Sequence, residues 1–369
     1  MSNLHIAVHF NIQGSPVSIS SFGSGHINDT YILKTDQVQG PDYLLQRINH
    51  HVFKDIPLLM HNILLVTDHL RRKYADQGLD VNQCVLTPIA TTQGTYYYKE
   101  NGHYWRMFTR IRGTKSYDIV HTEQQAGEGG RAFGRFQAML SDLNADKLGE
   151  VIPNFCHIGY RLNNFHAALQ ADVSGRRSEV QREVDFLESR QGRMCRILEM
   201  AERGELPLRI THNDTKFNNV LLDQQDRAQC VIDLDTVMPG YVAYDFGDAI
   251  RTIINRGAED ARDLDTVQLN LPLFRAYTKG YFEEAHVFLN EKEVYSLIEG
   301  TLLFPYMQAV RFLTDYLQGD QYYKIQYSTH NLQRTKAQIK LLQEIEKHQQ
   351  ELDASIHQLA ATYNLIPVH

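Results

Sequence analysis

His212, Asp214 and Asn219 are spaced as His-x-Asp, four residues, Asn, and Asp233 and Asp235 follow within the next sixteen positions. That set of side chains can transfer a phosphoryl group. An ionised Asp214 can only accept hydrogen bonds, so it can orient an acceptor hydroxyl and take its proton. The amide oxygen of Asn219 and the carboxylate of Asp233 are hard oxygen donors, the kind Mg²⁺ takes together with phosphate oxygens. Asp235 is expected to help hold the metal, directly or by supporting its ligands, and two Mg²⁺ sites follow from the pattern.

Asp, Asn and His also crowd into ordinary turns, where the side chain bonds its own backbone. What separates this stretch from such a turn is its surroundings. Val220-Leu-Leu222, the turn Asp223-Gln-Gln-Asp226 and the apolar run Cys230-Val-Ile232 form a hairpin pattern that returns the chain from Asn219 to Asp233. Upstream, Gly23-Ser24-Gly25 lies between two strand patterns, so backbone amides there can approach nucleotide phosphates with no Cβ in the way. A basic residue on the third strand should reach the same phosphates. Tyr43-Leu-Leu-Gln-Arg-Ile48 offers Gln46 or Arg47 on opposite faces, and Arg47 is the expected contact. No Glu occurs from Ile48 to Ala75, so the acidic partner usual for such a basic residue is missing.

Three segments carry a family resemblance: Phe22-Gly-Ser-Gly-His-Ile-Asn-Asp-Thr-Tyr31, Ile210-Thr-His-Asn-Asp-Thr-Lys-Phe-Asn-Asn219 and Tyr244-Asp-Phe-Gly-Asp-Ala-Ile-Arg251. Through them the chain resembles the aminoglycoside phosphotransferase and choline kinase superfamily, small-molecule relatives of protein kinases, and within it the N-acetylhexosamine 1-kinases. The resemblance implies a protein-kinase-like, two-lobe α+β fold with the nucleotide held between the lobes. It also implies ATP and Mg²⁺ as cofactors, Asp214 as catalytic base, and His212 and Asp245 as braces of the catalytic loop. His26, Arg311 and Tyr322 are the expected contacts to an amino-sugar acceptor. Arg311 sits in an apolar helix pattern, where a charge needs a partner or a polar cavity; Asp315, four residues on, is the alternative partner. Choline, ethanolamine, homoserine and aminoglycoside kinases share the catalytic residues, and a nucleotide-binding pseudokinase is the reading from a different class. Phosphorylation of proteins is disfavoured, because the stretch from Asp235 to Tyr244 is too short for a long activation segment.

The 369 residues are 43% apolar and 22% charged, an ordinary globular balance. A net charge of −7 without clustered Lys and Arg argues against a nucleic-acid surface. No apolar run reaches membrane-spanning length. The amino end lacks a secretory pattern and the four cysteines are scattered, so a cytoplasmic protein with reduced thiols is expected.

The positioning elements read as two parts: residues 1–112, mostly antiparallel strands with one helix, and residues 113–369, mostly helices. Strands are expected at Val17–Phe22, Thr30–Lys34, Tyr43–Ile48, Thr95–Lys99 and His103–Phe108, the last two joined through Asn101-Gly102. Helices are expected over Pro57–Tyr74, from a Thr122-x-x-Gln125 capping box, and over Ser178–Arg203, Leu271–Leu289, Lys292–Leu317 and Asn331–Thr362. Gly127, Gly129, Gly130 and Gly134 weaken the helix after Thr122 unless they allow close packing. The last helix carries a narrow apolar stripe, expected to pack on the chain itself, with a weak homodimer contact as the alternative to a monomer.

Overall fold

Alternating apolar residues and tight turns build the first sheet. Strands β1 (Pro16–Ser21), β2 (Asp29–Thr35), β3 (Tyr43–Ile48), β4 (Tyr98–Glu100) and β5 (His103–Thr109) pair antiparallel in the order β1-β2-β3-β5-β4. Asn101 and Gly102 take φ of 51° and 78° in the β4–β5 turn, the left-handed pair that a two-residue hairpin needs to match strand twist. The strand expected from Thr95 starts only at Tyr98. Residues before it are spent on a turn in which Thr91 N donates to Thr95 O at 2.6 Å and Gly94 adopts φ 83°. One sheet face buries Leu33, Tyr43, Leu45, Trp105 and Met107 against Ile6, Ala7 and Phe10. Helix α1 (Ile56–Asp76) opens on Asp55, whose side chain accepts from Leu58 N, with proline in the first turn.

The computed structural model describes residues 3–23 and 27–367; the expected site residues Ser24, Gly25 and His26 lie outside the described residues. The fold is α+β, with a small antiparallel sheet and a larger helical part. Packing divides the chain into one unit of residues 1–115, 142–153 and 220–239, and a second of 116–141, 154–219 and 240–369. This division is not linear, unlike the single boundary expected at residue 112. Two later segments belong with the sheet because α1 and the end of the first segment bind them. Asn62 of α1 donates to Gly149 O at 2.8 Å and Val237 O at 2.9 Å, and Lys115 exchanges backbone bonds of 2.8 and 2.9 Å with Leu222.

In the second unit, α2 (Glu123–Leu140) is capped by Thr122, whose hydroxyl accepts from Gln125 N at 3.1 Å. Gln125 Oε1 accepts from His121 N, one residue before the cap, rather than closing the reciprocal box. The unit continues with α3 (Ile158–Ala171), α4 (Val242–Ile253), α5 (Leu271–Ala285), α6 (Glu291–Leu317) and α7 (His330–Thr362). The helix glycines serve close approach: a Cβ on Gly130 would lie 2.1 Å from Tyr277 O of α5. The single helix expected over Ser178–Arg203 is instead three short ones, Gln181–Glu188, Gln191–Met194 and Arg196–Glu202. The first ends where Ser189 Oγ donates to Phe186 O at 2.8 Å, a local bond that competes with helix continuation. The α7 stripe, including Ile339, Leu342, Ile345, Leu352 and Ile356, is buried within this unit, chiefly against α6.

Candidate active site

The loop after the short strand Arg209–Thr211 is held by carboxylates from the start of α4. Asp245 accepts from His212 N at 2.8 Å, Asn213 N at 2.7 Å and Gln137 Nε2 at 2.8 Å. Asp248 accepts from Thr215 N at 3.1 Å, and Thr215 Oγ donates to Asp245 O at 2.6 Å. These bonds fix the loop backbone, including Asn213 at φ 62°. Gly247, between the two aspartates, lets α4 meet α6: a Cβ there would lie 2.2 Å from Gly300 O. The fully buried His212 ring meets Phe133 and Phe136 edge-on at 5.6 and 5.8 Å. Burial pushes the Asp245 carboxyl above its ordinary value, against the pull of His212 and of the amides it accepts.

Asp214 projects from this fixed loop and stays about a fifth exposed, with side-chain accessibility of 22%. Lys216 Nζ lies 3.0 Å from its Oδ1. Asn219 Nδ2 donates to Asp214 O at 2.8 Å and approaches its Oδ2 at 3.3 Å. Burial raises the pKa of Asp214, but the Lys216 charge and hydrogen bond outweigh it and hold the carboxyl below its ordinary 3.8. Because the Asn219 NH₂ group is turned toward Asp214, its carbonyl oxygen is the atom left to hold a cation. In the first unit, the hairpin pairs Val220 with Val231, and Asp233 follows two residues beyond it at φ 60°. Taken singly, the Asn219 amide and the Asp233 carboxylate each offer oxygen, the kind of donor Mg²⁺ accepts.

The remaining small-unit residues are arranged differently from the expectation. Asp235 is 3% exposed and its carboxylate is taken up by Arg106, through both terminal nitrogens, and by Asn28 Nδ2 at 2.6 Å. Its oxygens are taken up by a buried ion pair, which favours the supporting one of its two expected roles. Arg106 Nε donates to Gln46 Oε1 at 2.9 Å, and Gln46 Nε2 donates to Thr30 Oγ1 at 3.0 Å. Arg47, the expected phosphate contact, points to the other strand face and pairs with exposed Asp29, Nε to Oδ2 at 2.7 Å. Gly23 is exposed at φ 80°, with nothing within 4 Å of an added Cβ. Sequence reasoning missed Arg106, although an Arg inside Tyr104-Trp-Arg-Met-Phe108 was a signal: a cation there must find a buried partner. Arg106→Leu leaves Asp235 buried and unpaired, so denaturant unfolding should show a loss of about 3–5 kcal/mol. A loss under about 1 kcal/mol would show that the pair is not a structural anchor.

Arg311 and Tyr322 both line a cavity of about 270 Å³ in the helical unit, with Tyr160, Arg161, Asp315 and Tyr323. Arg311 does not pair with Asp315. It donates to Gln308 Oε1 at 3.1 Å and stacks over Phe155 and Tyr323 at 5.6 and 5.7 Å. Asp315 is occupied: it accepts from the backbone amides of Gln321, Tyr322 and Tyr323 at 2.8–3.0 Å and from Asn331 Nδ2 at 2.8 Å. Tyr322 is 67% exposed with its ring edge-on to Tyr323. The nearby aromatics are spent on structure, Tyr306 donating to Leu187 O and Tyr316 to Glu179.

Known proteins share this architecture. A microcompartment-associated aminopropanol kinase aligns with a TM-score of 0.63 at 15% identity, over 95% of this chain and 97% of that one. An amicoumacin kinase in complex with AMP-PNP and Ca²⁺ aligns at 0.59 and 13% identity, over 96% and 95%. Choline kinase from Cryptosporidium parvum Iowa II aligns at 0.58 and 13%, over 96% and 98%. Among the described residues no helix is long and apolar enough to cross a membrane. The sequence profile of the phosphotransferase enzyme family matches residues 18–287, well over half of the chain. Enzymes of this family move a phosphoryl group from ATP, with a divalent cation, to an alcohol. The chain belongs to the phosphotransferase enzyme family.

Proposed function

We propose that the chain transfers the γ-phosphoryl group of ATP to the anomeric hydroxyl of an N-acetylhexosamine, giving the sugar 1-phosphate. The observation that carries the reading is the Asp214 carboxylate, held by Lys216 and Asn219 on a loop whose amides Asp245 and Asp248 fix. Asp214 orients the acceptor hydroxyl and takes its proton; Lys216 holds its carboxyl below the ordinary value against burial. Lys216 is half exposed, so its ammonium can also meet phosphoryl oxygens. Asn219 and Asp233 are the residues that hold Mg²⁺, with Asp235 supporting through its grip on Arg106. When bound, Mg²⁺ neutralises charge on the β- and γ-phosphate oxygens. Gly23, with Ser24 and Gly25, covers the phosphates. Arg311 and Tyr322, with His26, receive the sugar.

The sugar assignment rests on the resemblance of the three motif segments and on the cavity's size and lining, small, open and bordered by tyrosines that can stack on a sugar ring. ADP release measured over N-acetylglucosamine, N-acetylgalactosamine, choline, ethanolamine, homoserine and an aminoglycoside should be fastest with an N-acetylhexosamine. Turnover of choline or homoserine with the amino sugars inert would remove the sugar assignment and leave phosphotransfer standing.

A further inference from the structure

The helical unit places two guanidinium groups, Arg161 of α3 and Arg311 of α6, on the wall of one cavity. Among the described residues neither forms an ion pair. Arg161 donates to Phe155 O at 2.7 Å, and its Nε is buried with no hydrogen-bond partner. Arg311 has the neutral partner Gln308. Asp315, the carboxylate on the same wall, has its oxygens turned to the Gln321–Tyr323 amides and Asn331. Burial, and then the neighbouring Arg311 charge, push the Arg161 guanidinium below its ordinary value, whereas Tyr323 and Tyr322 hold Arg311 above its own despite burial.

Two partly buried cations without a carboxylate carry a desolvation cost that a neutral hydroxyl offsets poorly and an anion offsets well. The cavity also adjoins the catalytic loop. Phe155 O accepts from Arg161 and its ring lies under Arg311, while the next residue, Cys156, sits with Sγ 3.9 Å from Asn213 Oδ1. Asn213 is the residue before Asp214. Burial pushes the Cys156 thiol up to about 12, and the charges next felt there are Asp248, Arg311 and Arg161, so loop and cavity share one neighbourhood.

We propose that this cavity binds an anionic substituent of the acceptor, a carboxylate or a phosphate, between Arg161 and Arg311, with Tyr322 and Tyr323 against the ring. The proposal rests on the sugar-kinase reading and narrows it: an acidic sugar is a better acceptor than the neutral N-acetylhexosamine. Arg161 gives the second half of the clamp, and its planar fork suits a two-oxygen anion.

Matched acceptors test this. ADP release is measured with N-acetylglucosamine, its 6-carboxylate and its 6-phosphate, and the Tm rise that each gives without ATP is read separately. One charge-assisted bond is worth about tenfold or more, so at least one anionic sugar should exceed the neutral one by that factor in kcat/KM and give the larger Tm rise. The carboxylate and phosphate arms tell the two anions apart. Arg161→Gln should bring the anionic-to-neutral ratio near one, whereas Arg161→Lys, which keeps the charge but not the fork, should keep only part of it. A wild-type preference for the neutral sugar, or an unchanged ratio in Arg161→Gln, overturns the proposal and leaves the sugar-kinase reading intact. If anionic sugars raise Tm in the wild type but not in Arg161→Gln, and no sugar is phosphorylated, the anion clamp stands and the sugar-kinase reading falls. Should Arg161→Gln fail to fold, the wild-type ratio decides alone.

Discussion

Asp233→Ala should lower ADP release by about 10³- to 10⁵-fold at saturating acceptor, the range over which a single charge-stabilising group acts in phosphoryl transfer. Asp233 ends the Val220–Val231 hairpin in a left-handed conformation that reverses the chain into the 3₁₀ turn Leu234–Thr236. Asp235, two residues on, is locked to Arg106, so it is not placed to substitute. The loss should come with weaker Mg²⁺ dependence, read by titrating Mg²⁺ against the rate. A variant that keeps more than a tenth of wild-type turnover, with an unchanged Mg²⁺ titration, would remove Asp233 from the metal site.

The second large effect is expected at Asp214. Asp214→Asn keeps the size of the side chain and one oxygen for Lys216, but it cannot take a proton. Turnover should fall by about 10²- to 10⁴-fold, the usual contribution of a general base. The KM for ATP should change little, because the residue is assigned to the acceptor hydroxyl. A rate within tenfold of wild type, or a defect expressed wholly in ATP binding, would reassign Asp214 to a supporting role. Thermal unfolding of the same variant separates this from collapse of the loop, whose anchors Asp245 and Asp248 are left in place.

Much of the loop was legible before any coordinates. The spacing of Asp214 and Asn219 survives as a hydrogen-bonded pair, because five residues of tight loop leave the two side chains few places to go. The hairpin after Asn219 was readable from its two apolar runs and the Asp223–Asp226 turn. Arg106 carried a signal that did not name its partner, and Arg161 carried none. Both are arginines in segments that look structural, and their meaning depends on partners far along the chain or on the absence of one nearby. The alternative Arg311–Asp315 pair fails for the same reason: helical spacing allows it, yet the turn after α6 claims Asp315 first.

Local chemistry in the sequence determined where elements begin and turn. Asp55 before Pro57, Asn101-Gly102, and Asn290 with Glu293 at the start of α6 each act through hydrogen bonds or dihedral preferences spanning a few residues. Tertiary structure alone decided which charges face one another. Arg106 meets Asp235 across 129 positions, Asp245 reaches back 33 residues to the amide of His212, and Arg161 is left beside Arg311. Burial makes such pairings strong, and burial is a property of the packed chain that no short window of residues contains.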